Sequence, residues 1–360
     1  MADLMAIDAL TTLGREDAAG QRAPHDLPAQ LPPPRGPLTS SLLNYLLRDP
    51  ARTRVNPARL TWSGATTEAT TDHDLQLALW LAYELHYRGL AGVDDAWEWH
   101  PGLVEVISEW EALMLDALVS VTGGPSVGGE PSAVAPRLFE LAAADGSPSL
   151  SQAMMRDATV DQFREFLVHR SIYHLKEADP HTWQVPRLAG RTKAALVEIQ
   201  LDEYGGGRPG GMHSALFAQA MRELGLDDNY GAYWPEALPE THATVNLMTL
   251  FGLHRRHRGA ALGHLAALEM TSTLPNRRYG NGLRRLGFGV AATAYFDEHV
   301  EADAVHEQIA VVDMCGSFAA AEPDRVTDVV WGAACCLALD GAAGAALLRR
   351  WGARDEAGAA

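Results

Sequence analysis

The chain has 360 residues, with 29 Lys and Arg against 46 Asp and Glu, a formal charge of −17 when its 14 histidines are neutral. Nucleic acids and anionic membranes are held mainly by surplus Lys and Arg, so this balance argues against both as partners. With 47% hydrophobic and 21% charged residues the composition is that of an ordinary globular protein, and disorder throughout is excluded.

The three cysteines, Cys315, Cys335 and Cys336, give no disulfide framework, and a reducing cytoplasm is the expected location. Asp3 and Asp8 interrupt the start, no basic segment precedes an apolar one, and no run of about 18 apolar residues is evident, so neither secretion nor membrane spanning is expected.

In chain order, residues 1–37 end in Pro24, Pro28, Pro32, Pro33, Pro34 and Pro37 and read as a loose, non-catalytic arm. From 38 to about 122 the pattern is helical: Leu75, Leu79, Ala82 and Leu85 share one face, and Trp110, Leu113, Ala117 and Val121 share another. Gly123-Gly124-Pro125 and Gly128-Gly129 mark a boundary near 130. Beyond it helices are predicted near 135–144, 159–178, 187–204, 213–225, 240–271, 275–286, 289–318 and 322–350. Sustained period-two alternation and a fixed repeat are both missing, so the predicted class is all-α.

Four segments concentrate possible chemistry. At about 100° per residue, His299, Asp303 and His306 fall along one helix stripe, an arrangement suited to a metal site inside a bundle and otherwise readable as a solvated acidic face. Glu203 ends one helical pattern and His213 opens the next across a glycine-rich corner, so the two could meet. That corner lacks the strand and glycine order of a phosphate loop. Glu269 sits among Leu262, Leu265, Ala266, Leu268 and Met270, where an ionised carboxylate needs a cation or an internal salt bridge. Glu177 continues a stripe from Phe166 and Tyr173, with Glu165 and His169 on another face as alternatives for this helix. His174 and His181 read as helix-end caps. Carboxylates and imidazoles from four helices suit non-haem iron or a dimanganese centre better than zinc.

At these residues the sequence resembles the haem-oxygenase-like diiron oxidases and oxygenases, within them the actinobacterial group of iron-containing redox enzymes. The segments His174 to Pro180, Glu198 to Gly205 and Arg258 to His264 carry the likeness, which covers about residues 135–350. The resemblance implies an up-down helical bundle with an N-terminal helical extension over 38–130. It also implies a metal ligand set of Glu177, Glu203, His213, Glu269, His299, Asp303 and His306, with Asp202 as the alternative to Glu203. Two Fe2+ per chain, O2 as co-substrate, an unidentified electron donor and a small-molecule substrate, an amino acid or amine oxidised in biosynthesis, follow from it, and homodimerisation is the family-level expectation. A metal-free bundle that binds a ligand or partner is the alternative function.

From His254 to Arg285 seven arginines stand against one acid, Glu269, a local charge of 7 − 1 = +6. Arginine forks suit carboxylates, so Arg277 or Arg278 is a candidate substrate anchor, with salt bridges to the acids of 297–307 as the competing role. Glu84 and His86 read as surface or interface groups.

Overall fold

Local chemistry sets where the helices begin. Asp72 accepts hydrogen bonds from the backbone of Asp74 and Leu75, Thr159 and Gln162 form a reciprocal capping box, and Pro37, Pro101 and Pro239 occupy first helical positions, where a missing N–H costs nothing. The computed structural model describes residues 28–126, 129–144, 146 and 149–358, the side chains of 303, 304 and 353–358 excepted.

Among these residues the fold is all-α. Helix α1 spans Pro37–Leu46, α2 His73–Glu84, α3 Pro101–Thr122, α4 Val134–Ala144, α5 Leu150–Arg156, α6 Val160–His174 and α7 Asp179–Thr182. Then come α8 Gly190–Glu203, α9 His213–Glu223, α10 Pro239–Leu253, α11 Arg258–Arg285, α12 Val290–Gln308, a π-helical segment Ile309–Gly316, α13 Ser317–Ala321 and α14 Val326–Gly358. Two long helices, α11 and α14, form the axis of the bundle, with α12 against α11 and α10 against α14.

The α11–α14 crossing is close because two glycines meet the opposite backbone. A Cβ on Gly263 would lie 1.8 Å from the Val329 carbonyl oxygen, and one on Gly332 would lie 2.0 Å from that of Ala260. The stretch from Pro323 to Gly352 is long and apolar enough by composition to cross a bilayer. In the fold it packs against α10 and α11, and Val329, Ala333, Cys335 and Trp351 are buried.

Three sequence expectations change. The interruption placed between 271 and 275 lies instead at His254–His257, and α11 runs through Pro275. An internal proline removes the hydrogen bond to the carbonyl four residues earlier, here Thr271, and both residues border the central cavity, so the broken rung falls where no neighbour packs. The proline-rich arm is fixed from residue 28 onward: Ala29 bridges to Leu90, and Arg35 donates to the carbonyls of Trp234, Pro235 and Ala237 at 3.1, 2.7 and 2.7 Å. Residues 1–27 lie outside the described residues.

Glu84 is the third. It is fully buried, accepting from Lys176 Nζ at 2.8 Å and from Tyr230 Oη at 2.7 Å, while Lys176 packs over the Tyr87 ring. His86 is buried beside Glu98 at 3.2 Å. One apolar cluster runs from Leu38 through Trp80, Trp110, Phe163 and Trp234 to Trp351, so α1–α3 share their core with the later helices.

Candidate metal centre

Four helix ends and faces converge on one buried polar cluster. Helix α6 stops at His174, and Glu177 lies in the turn that follows, next to Ala178, whose φ of +73° is in the left-handed region. A non-glycine residue there is strained by about 1–2 kcal/mol. Gln200 holds the turn by donating to the Ala178 carbonyl at 2.9 Å.

Glu203 is the last residue of α8. Gly205, Gly206 and Gly207 all have positive φ, and a Cβ on Gly205 would lie 2.3 Å from the Gly211 carbonyl carbon. Only glycine fits so tight a corner. Its consequence is that His213, opening α9, sits with Nδ1 3.0 Å from Glu203 Oε2. Asp202 turns outward and receives His306 Nε2 at 3.1 Å, which leaves Glu203 as the inward carboxylate.

Helix α12 supplies the imidazoles. His299 Nδ1 donates to the Tyr295 carbonyl at 2.8 Å, and its Nε2 faces Glu177 Oε1 at 3.7 Å. With Asp202 on Nε2, His306 directs Nδ1 to Glu269 Oε2, 3.5 Å away. Second partners of this kind fix the orientation of a ligating histidine.

The side chains form two groups whose donor atoms lie within 4.8 Å of one another: Glu177, Glu203, His213 and His299, and then Glu203, Glu269 and His306. Glu203 belongs to both. Glu177 Oε2 is buried without a hydrogen-bond partner, and His213 Nδ1 and His306 Nδ1 are buried against carboxylate oxygens, at 3.0 and 3.5 Å, outside good hydrogen-bond geometry. Buried polar atoms are expensive to leave unpaired, and a cation in each group would satisfy them. An all-nitrogen-and-oxygen donor set without thiolate fits iron.

The protonation pattern has the same cause. Burial works against charging His306, but Glu269 and Asp202 outweigh it and push it up to about 9. Burial alone would raise Glu177, yet His174 and His299 hold it well below the usual carboxylate range. Glu269 is raised by burial and by the repulsion of Glu203. Acids and imidazoles here share protons that a metal would displace.

Glu177, Glu203, His213, Glu269, His299 and His306 are thus brought together. Asp303 lies on α12 between the two histidines, and its side chain is outside the described residues. Glu165 is engaged elsewhere, receiving Trp351 Nε1 at 2.9 Å and Arg350 Nε at 2.6 Å, and His169 lies against Thr241. The site gains two residues that the sequence reading missed. His174, read as a cap, has Nδ1 2.8 Å from both Glu177 Oε1 and Tyr295 Oη, and Tyr295 Oη donates to Glu177 Oε1 at 2.9 Å. Tyr295 precedes His299 by one turn, the one signal of its place.

The cluster opens into a cavity of about 180 Å³. Neither Arg277 nor Arg278 lines it: Arg277 is exposed, and Arg278 donates to the hydroxyls of Ser149 and Ser151 at 3.2 Å. Because α11 is continuous here, Asn276 and Tyr279 face the cavity and the two arginines between them point away. Among the described side chains of 297–307, Asp297 pairs with an arginine of this stretch, Arg284.

Residues 164–341, which contain every residue of both groups, match the family described as iron-containing redox enzyme. Nitrosourea synthase of Streptomyces achromogenes subsp. streptozoticus is 27% identical over 147 residues, 41% of this chain and 31% of that protein. The chain thus matches less than a third of that relative's length. Residues 164–341 thus match the iron-containing redox enzyme family, an oxidoreductase class, and the all-α fold around them is haem-oxygenase-like.

Proposed function

We propose that the chain holds two ferrous ions, one in each group, and uses O2 to oxidise a small organic molecule, an amino acid or amine, by N-oxygenation, desaturation or C–C cleavage. The observation that carries this reading is the sharing of Glu203 between two adjacent donor sets. A carboxylate has two oxygens and can serve two cations at once, whereas an imidazole nitrogen serves one. A relative that synthesises a nitrosourea makes nitrogen-containing substrates the first to test. The setting is cytoplasmic small-molecule biosynthesis, with electrons from a separate donor.

Glu177, His213 and His299 would hold one ion and Glu269 and His306 the other, with Glu203 between them. Iron, when bound, supplies the electrons that activate O2. The protein's own groups do the rest. The Tyr295 phenol and the His174 imidazole hold one oxygen of Glu177, leaving the second free to face the metal, and they place a transferable proton beside it. Phe217 and Phe296, with Tyr295, wall the cavity, keep bulk water from the reacting atoms and strengthen local electrostatics.

Metal analysis of anaerobically loaded protein tests the reading: near two iron atoms per chain are expected, with O2 uptake that is lost in His299→Ala. A folded chain that takes up no iron would leave the metal-free ligand-binding bundle in its place.

A further inference from the structure

The cavity has a second charged feature, set away from the carboxylate and imidazole groups. Arg170 on α6 and Asp340 on α14 lie with Nη2 and Oδ1 3.1 Å apart. Both line the cavity that Glu177, Glu203, Glu269 and His299 also border. The pair is not closed: 32% of the Arg170 side chain and 48% of the Asp340 side chain remain accessible. Around it the wall carries Phe166, Leu339 and Leu347, with the Tyr279 phenol beside Arg170. A charged pair left part-open on a cavity wall can exchange some of its mutual contact for a charged ligand.

We propose that Arg170 and Asp340 are the recognition end of the substrate site and take a free α-amino acid, the guanidinium binding its carboxylate and Asp340 its ammonium. The charge balance selects this class. The pair is neutral, so a simple carboxylic acid would bring a second negative charge against Asp340, and a simple amine a second positive charge against Arg170. A zwitterion gives each side chain an opposite charge and leaves this end of the cavity without added net charge.

The position also fixes which end reacts. The Arg170 guanidinium carbon lies 5.6 Å from the centre of the Phe166 ring, one turn back along α6 and away from the cluster. Glu177 follows Arg170 by seven residues, past the end of α6 at His174, so the metal groups lie on the C-terminal side of Arg170. With its carboxylate on Arg170, the amino acid extends its side chain toward the metal groups, and oxidation falls on that side chain, several bonds from Cα. The direction of reaction rests on the diiron reading; the binding of the zwitterion does not.

Calorimetric titration separates the two. The probes are the twenty common amino acids, together with the decarboxylated amine and the deaminated acid of any that bind, such as agmatine against arginine. At least one amino acid is expected to bind both iron-loaded and iron-free protein, and removing its carboxylate or its ammonium is expected to weaken binding about tenfold or more. Arg170→Gln is expected to weaken binding by a similar factor while iron content stays at the wild-type value. The apolar double variant Arg170→Met/Asp340→Leu preserves packing and guards against misfolding, and it is expected to bind no amino acid. Failure of every amino acid to bind, an amine that binds as tightly as its parent, or unchanged affinity in the folded double variant overturns the proposal. Amino-acid binding by a chain that takes up no iron would instead remove the oxidation reading and leave this one standing.

Discussion

Glu203 differs from every other residue of the cluster in belonging to both donor sets. Glu203→Ala is therefore expected to bring iron below one atom per chain, whereas His306→Ala, which touches one set, is expected to retain about one; elemental analysis after gel filtration distinguishes them. The residues that converge were visible in the sequence for physical reasons: a helix repeat put His299 and His306 on one stripe, a run of glycines forced Glu203 toward His213, and a carboxylate in an apolar helix marked Glu269. His174 reads as a cap although Glu177 is only three residues on, because the Tyr295 contact that completes its place comes from another helix. The arginine-rich stretch misled in a different way. A charge count records composition, while the direction of Arg277 and Arg278 depends on a continuous helix that Pro275 argued against.

The elements hold the cluster through two devices that make separate predictions. At the α11–α14 crossing, Gly332→Ala would press a methyl onto the Ala260 carbonyl, and a loss of about 1–3 kcal/mol or more is expected in urea unfolding. The second device ties α2 to the turn that carries Glu177: Lys176 precedes Glu177 and is buried against Glu84, whose Oε1 has no hydrogen-bond partner. Lys176→Met strands the Glu84 charge and is expected to cost about 3–5 kcal/mol, and adding Glu84→Gln is expected to recover part of it. The sequence showed these helices but not this pairing, since Glu84 and Lys176 are far apart in the chain and each looks like a surface residue by type.

For the whole molecule, the −17 charge separates into acids engaged at the cluster, acids paired with arginines away from it, and an interior rich in neutral histidine. Burial pushes His169 and His181 down to about 4 and His242 to about 3. Their folded pKa values lie below the ordinary 6.5, so the unfolded chain binds more protons between these limits and stability falls as pH drops below about 6.5. A loss of roughly 1 kcal/mol per histidine per pH unit is expected between about pH 6 and 4, and denaturation midpoints at pH 7.5, 5.5 and 4.5 measure it. The early helices share a core with the later ones, so this acid sensitivity is expected as one cooperative transition.

Anomalous diffraction at the iron edge, from crystals grown with ferrous iron, tests the shared-carboxylate centre most directly. Two iron peaks are expected, one among Glu177, His213 and His299 and one beside Glu269 and His306, with Glu203 reaching both. A single peak, or two that do not share Glu203, would contradict it.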